Sequence, residues 1–225
     1  MPFQTLPYWL QFGTFFLALN AGMVNVFGLV TVLHQSVSHM TGNVSMFAMA
    51  LINWQPEQLL YLFLIVVCYV VGSFYSGFIL GNSHFSLGRR YGLPLSLVAF
   101  FLLLCWLFIP YFPKYALLWA SAAMGVQNAM ISHYKGTIIR TTHLSGVLTD
   151  LGLAIGYFFR GLEVDKKRII LHLLILFGFL FGGIIAVVIY PVLHLNSFLV
   201  PTCLSLVLSL IYWMVYFRYR HRIGS

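Results

Sequence analysis

Residues 58–81 read QLLYLFLIVVCYVVGSFYSGFILG, a run without a single charged side chain. At the helical rise of about 1.5 Å per residue, such a run is long enough to cross the ~30 Å hydrocarbon core of a bilayer. Similar runs follow one another through the chain, which is 61% hydrophobic and only 7% charged. A soluble surface for 225 residues cannot be built from so few charges, so the sequence predicts an integral membrane protein.

Eight apolar segments divide into six long ones and two short ones. The long ones predict an all-α, polytopic transmembrane bundle that forms a single domain over residues 1–225: 8–33, 58–81, 93–110, 115–134, 169–191 and 196–217. The short ones, 37–53 and 144–159, open with polar residues. We expect these two to be re-entrant or broken helices.

The distribution of Lys and Arg favours six crossings. If the short segments also crossed, the basic residues would divide eight to four between the two faces, whereas six crossings place eleven on one face and only Lys114 on the other. Because short cytoplasmic loops carry an excess of Lys and Arg, both termini are predicted to be cytoplasmic. The net charge of +8 therefore indicates orientation in a lipid bilayer and not a nucleic-acid surface.

The chain contains an internal repeat. AGMVNVFGL at 21–29 and HMTGN at 39–43 recur as MGVQNAMIS at 124–132 and HLSGV at 143–147. The offset is 103 residues in the first pair of motifs and 104 in the second. We expect one repeat at about 8–110 and another at about 115–217, and three crossings in each make the second copy inverted. Inverted repeats with broken helices near the midplane are a recurring design of transporters.

Polar and small residues of these motifs form the predicted solute-binding site or pore. Glycine permits sharp turns and close approach, hydroxyls can cap a half-helix, and histidine can bind a solute or relay protons. Packing, capping and ordinary hydrogen bonding are the simpler roles of the same residues. The candidates are Asn25, His39, Thr41, Gly42, Asn43, Gln127, Asn128, His143, Ser145, Gly146 and Asp150.

Asp150 is the one acidic residue well inside an apolar stretch. An unpaired charge at membrane depth costs ~2.5 to 3.5 kcal/mol on insertion scales, so such a residue is a functional candidate by default. His143, about two helical turns away, or Arg140 is the expected partner. The predicted role is a coupling or coordinating group, and a structural ion pair is the alternative.

The sequence therefore predicts a carrier or channel for an unidentified small solute. An intramembrane enzyme acting on a lipid-type substrate and a non-catalytic scaffold or sensor are the alternatives. The chain has no GxxxxGK[ST] loop, no HExxH and no cysteine cluster, so we expect no cofactor, no metal and no nucleotide-driven transport. Glycine-rich faces at 72–77 and 178–183 would also suit a homo-oligomer.

Four motifs together resemble one family of bacterial membrane proteins. They are Gly22-x-x-Asn25, HMTGN at 39–43, GVQNA at 125–129 and TTHLSGVLTDLG at 141–152. With them, nearly the whole chain resembles the YoaK family, also called DUF1275. The resemblance implies about six transmembrane helices in a bacterial cytoplasmic membrane. Members of that family usually carry Asp at the position of Asn25, and the resemblance supplies no substrate.

Overall fold

The chain is mostly helical in the part that the computed structural model describes, which is residues 8–31, 36–81, 89–131 and 141–223. No strand occurs in these ranges, so the all-α prediction is confirmed. The helices are α1 (Tyr8–Val30), α2 (Met40–Ile52), α3 (Pro56–Leu80), α4 (Arg89–Phe108), α5 (Pro113–Ile131), α6 (Leu144–Phe159), α7 (Lys166–Leu193) and α8 (Leu199–Ile223), with one 3-10 turn, His194–Phe198, between the last two.

Four helical stretches are long and apolar enough to cross a membrane by length and composition. They are Gln11–Val30, Pro56–Leu80, Tyr91–Phe108 and Lys166–Arg218, and the last of them contains both α7 and α8. Helix α5 is not among them, and nearly all of its residues from Ala116 onward are buried inside the protein. A helix surrounded by other helices can carry small and polar residues that lipid would not tolerate. α5 is therefore the central helix.

Two clusters of buried apolar side chains lie toward opposite ends of the bundle. The first cluster contains Phe27, Leu102, Leu117, Ala186 and Phe198, and the second contains Ala18, Leu80, Tyr91, Ile131 and Leu171. Along α1, α4 and α7 the chain runs from the second cluster to the first, and along α3, α5 and α8 it runs from the first to the second. Consecutive long helices therefore alternate in direction, with α2 and α6 inserted between them.

Helix α1 packs along α7 at a backbone-to-backbone crossing made by two glycines. A Cβ atom on Gly22 would lie 2.1 Å from the carbonyl oxygen of Phe179, and one on Gly182 would lie 2.0 Å from that of Leu19. Both distances are far below van der Waals contact, so only glycine permits this approach. The same device of small residues at helix interfaces is typical of membrane bundles.

Helix α3 packs along α5 through the same contacts. A Cβ on Gly125 would lie 2.1 Å from the carbonyl oxygen of Tyr69, and one on Gly72 would lie 2.1 Å from that of Ala122. The two crossings correspond position by position. Gly22 and Gly125 are 103 residues apart, and the carbonyls that they meet are 110 apart. Gly72 and Gly182 are 110 residues apart, and the carbonyls that they meet are 103 apart.

Both glycine-rich stretches are largely used inside the chain. Gly72 meets α5, and Gly178 and Gly182 meet α1, whereas Gly77 is exposed and has nothing near it. The interpretation of these faces as free surfaces for a second protomer is therefore wrong for the three packed glycines. A homo-oligomer stays a prediction without that support.

Gly72→Ala should lower the free energy of unfolding by roughly 1–3 kcal/mol, because the new methyl group would overlap the Ala122 carbonyl and force α3 away from α5. Gly77→Ala, in the same helix but in open space, is the matched control and should not destabilise. Thermal unfolding of both purified variants in detergent measures this. Equal midpoints would show that the crossing adjusts freely.

Candidate functional site

Asn25, on α1, holds the segment that leads into α2. Its Oδ1 accepts hydrogen bonds from the Oγ of Ser36 and, at 2.7 Å, from the Oγ of Ser38. The Oγ of Ser36 accepts the backbone N–H of His39 at 2.8 Å, and its carbonyl oxygen accepts the Nδ2 of Asn43 at 2.8 Å. Asn25 and Asn43 are both buried. The first motif is thus fixed to α1 through buried polar contacts.

Asn128, on α5, holds the segment that leads into α6. Its Nδ2 donates to the Oγ1 of Thr142 at 2.6 Å and to the Oη of Tyr69 at 2.8 Å. Its Oδ1 accepts the Oγ1 of Thr141 at 3.0 Å. Asn25 and Asn128 therefore have the same task, because each ties a non-helical segment to the helix before it.

Gln127 joins the second motif to α1. Its Nε2 donates to the Leu17 carbonyl at 2.9 Å and to the Oγ1 of Thr141 at 3.0 Å, and its Oε1 accepts the Nδ2 of Asn20 at 3.2 Å. Asn20 is completely buried, and its Oδ1 has no hydrogen-bond partner among the described residues. The sequence interpretation missed Asn20 because its position in the second repeat is Ala123. An amide inside an apolar segment was the available signal.

A histidine ring lies over the first turn of each short helix. A Cβ on Gly42 would lie 2.6 Å from the Cδ2 of His39, and a Cβ on Gly146 would lie 2.6 Å from the Nδ1 of His143. Glycine three residues after the histidine leaves the room that the imidazole occupies. The recurring His-x-x-Gly spacing therefore positions an imidazole at a helix N-terminus.

Neither short helix has a side-chain cap at its N-terminus. The capping role predicted for Thr41 and Ser145 is wrong, because each helix begins one residue before them and both side chains are exposed. Their carbonyl oxygens accept the hydroxyls of Ser45 and Thr149 one turn later. The hydroxyls of Thr41 and Ser145 therefore do not occupy the first-turn amides.

The two motifs do not meet by direct contact of their helices. α2 packs against α3, α6 packs against α7, and α2 and α6 do not pack against each other. At their N-termini, His39 and Thr41 of α2 and His143 and Ser145 of α6 are exposed. Helix α1 links the two motifs. Its Asn25 is hydrogen-bonded to the first motif, and its Leu17 carbonyl and Asn20 are hydrogen-bonded to Gln127 of the second.

Asp150 lies at the contact of α6 with α7 and is not isolated. Its Oδ2 is 2.8 Å from the Nη2 of Arg168 and 3.5 Å from the Nε2 of His172. The expected pairing with His143 is replaced by this one, and Arg140 lies outside the described residues. The Asp150 side chain is 33% exposed. The inference from isolated burial is therefore wrong, because a cation of the next helix reaches the carboxylate.

His172 is a residue that the sequence interpretation missed. It is buried on α7, within an apolar segment that follows the run Lys166–Arg168. The signal was available, because a histidine inside an apolar stretch needs a polar partner. In the part of the chain that is described, no three His, Cys, Asp or Glu side chains come together as a metal site would require.

Comparison with known proteins gives one match. A family model described as "Protein of unknown function (DUF1275)" matches residues 13–211, which include both motifs and all eight helices in whole or in part. No curated protein and no solved structure matches the chain.

Gln127→Leu should lower the free energy of unfolding by roughly 1–3 kcal/mol, because Asn20 and Thr141 would lose a buried hydrogen-bond partner at nearly unchanged side-chain volume. The control is Gln55→Leu, at an exposed position between α2 and α3. Chemical unfolding in mixed micelles compares the two. A Gln127→Leu protein as stable as the control would mean that the network carries no net energy.

Proposed function

We propose that this chain, which belongs to the DUF1275 family, is a carrier or channel that moves a small solute across a membrane. The observation that carries the proposal is the pair of short helices whose N-termini present exposed imidazole and hydroxyl groups. Non-helical backbone at membrane depth is tolerated where it is buried in protein or lines an aqueous cavity. Here Asn25 and Asn128 hold one side of each non-helical segment through hydrogen bonds. The exposed groups on the other side would line the cavity.

Six crossings are part of the proposal. α1 ends and α3 begins at the end of the bundle with the first cluster, so α2 enters and leaves on that side. α5 ends and α7 begins at the end with the second cluster, so α6 enters and leaves on the other side. With 13 and 16 residues, these helices are about 20 and 24 Å long, shorter than the hydrocarbon core. Both would therefore be re-entrant, with the chain termini on one face.

The orientation follows from charge. Among the described positions, Lys114 is the one basic residue toward the first cluster. The basic residues toward the second cluster are Arg89, Arg90, Arg160, Lys166, Lys167, Arg168, Arg218, Arg220 and Arg222. The positive-inside rule makes the second-cluster end cytoplasmic. A bacterial cytoplasmic membrane is part of the proposal, and the family resemblance supports it.

An inverted repeat relates the two halves in this proposal. The glycine crossings of α1 with α7 and of α3 with α5 are equivalent, and Asn25 and Asn128 hold equivalent segments. Three alternating long helices in each half make the second half opposite in direction to the first. Alternating access in such folds uses motion of one repeat against the other around a central site.

The groups offered to the solute include two sets of backbone donors. No described side chain caps the first-turn amides of α2 or α6, and the positive end of each helix dipole lies there. The imidazoles of His39 and His143 and the hydroxyls of Thr41 and Ser145 are exposed beside these amides and can donate or accept. A small solute with acceptor oxygens fits this chemistry. Asn43, Gln127 and Asn128 position the site, because their amides are used in buried contacts.

Single cysteines at Gln55 and Leu162 should be labelled from opposite sides of the membrane, because six crossings place the α2–α3 and α6–α7 connections on opposite faces. The background lacks Cys68, Cys105 and Cys203. A membrane-impermeant maleimide applied to right-side-out and inverted vesicles gives the sidedness. Eight crossings would place both cysteines on the same face, and that result would exclude re-entrant helices.

Cysteines replacing Thr41 and Ser145 should react with a water-soluble thiol reagent about tenfold faster than cysteines replacing Val70 and Leu180. Thiolate forms in water and not in lipid, so reactivity reports an aqueous cavity. The controls are equivalent exposed positions in the middle of α3 and α7. Equally slow reaction at all four positions would remove the cavity and favour a scaffold whose motifs only pack helices.

A further inference from the structure

We propose that His172 and Asp150 form a proton-binding site that latches α6 to α7 and makes the proton the coupling ion. The coupling rests on the proposed transport function, whereas the latch itself does not. The site lies outside both repeated motifs, and His172 belongs to neither of them.

One carboxylate oxygen is shared by two cationic or potentially cationic groups. The Oδ2 of Asp150 is 2.8 Å from the Nη2 of Arg168, and the Nε2 of His172 lies 3.5 Å from the same atom. Arg168 is 47% exposed at its side chain, whereas that of His172 is only 7% exposed. The imidazole is therefore the most buried of the three groups, and the carboxylate and guanidinium are partly exposed.

Two charged groups act on His172 within the part of the chain that the structure describes. Asp150 comes from α6 and Arg168 from its own helix. α1, the other helix that packs along α7, carries no charged residue and no histidine in its described length. The Nε2 of His172 faces the Oδ2 of Asp150. Proton binding by the imidazole would give Asp150 a second cationic partner beside Arg168, and loss of that proton would leave Arg168 alone.

Helix α6 is attached to the bundle mainly at one face. It packs against α7, and of its residues only Val147 is buried, in one cluster with Leu171 and Ile175 of α7. Few buried apolar side chains hold α6, and the contact of Asp150 with Arg168 adds to its attachment. α6 also carries His143 and Ser145 at its start. A change in the latch would therefore move donors of the proposed solute site.

The first half of the chain has no such latch. By the 104-residue and 110-residue offsets, the counterparts of Asp150, Arg168 and His172 are Met46, Gln58 and Leu62. Leu62 is buried just as His172 is, so the position is equivalent and only its chemistry differs. Proton binding would thus act on α6 and leave α2 in place. Movement of one short helix against a fixed counterpart is what an asymmetric coupling step requires.

The test uses the full chain in lipid nanodiscs, with spin labels on cysteines replacing Phe158 of α6 and Phe78 of α3, both exposed, in a background lacking the native cysteines. The distance between the labels should shift across about pH 5 to 8, where histidine side chains ordinarily titrate. The shift should be lost in His172→Gln and in Asp150→Asn. His194→Gln, at an exposed position in the 3-10 turn, is the matched control and should keep it.

A double variant distinguishes loss of the latch from misfolding. Asp150→Met with His172→Leu gives α6 and α7 the residues that the first half already uses, and it should fold with a distance independent of pH. A wild-type distance that does not change with pH, or a change that persists in His172→Gln, would overturn the latch. Failure of the thiol reactivity at Thr41 and Ser145 would instead overturn the transport function, so the two failures are distinguishable.

Discussion

The need to satisfy non-helical backbone inside a membrane bundle governs this structure. Two segments leave the helical state before α2 and before α6, and lipid offers their amides and carbonyls no partner. In the first half, Ser36 accepts the backbone N–H of His39, and Asn43 donates to the Ser36 carbonyl. Asn25 and Asn128 hold such segments by binding their hydroxyls from a buried position. The proposed site depends on these contacts, because they allow a short helix to begin within the bundle.

A rigid frame and loosely attached short helices follow from the packing. The glycine crossings of α1 with α7 and of α3 with α5 bring backbones into contact, and such contacts cannot be changed by rotating a side chain. α2 and α6 instead rest on single neighbours. Buried amides at both anchors are uncharged at every ordinary pH, so protons leave the frame unchanged. The exposed histidines therefore lie at the start of the two helices that pack against a single neighbour.

The sequence predicted the framework better than the pairings. Apolar length identified the helices, and the recurrence of Gly22 and Asn25 identified contacts that prove equivalent in both halves. It could not show that Asp150 reaches Arg168, because that partner lies across a helix contact, 18 residues along the chain. Asn20 and His172 escaped for a related reason, since neither has a polar counterpart in the other half. Comparing the two halves detects residues that both contain, and it does not detect residues that only one of them contains.

Difference between the halves is the last consequence of this arrangement. A perfectly symmetric pair of short helices would respond identically to the same change. Here the contact of α2 with α3 lacks titratable groups at the three equivalent positions, whereas the contact of α6 with α7 has an acid, a guanidinium and a buried imidazole. The glycine crossings are common to both halves, whereas only the second half has this charged contact among the described residues. The two halves therefore differ in chemistry at residues that break the repeat.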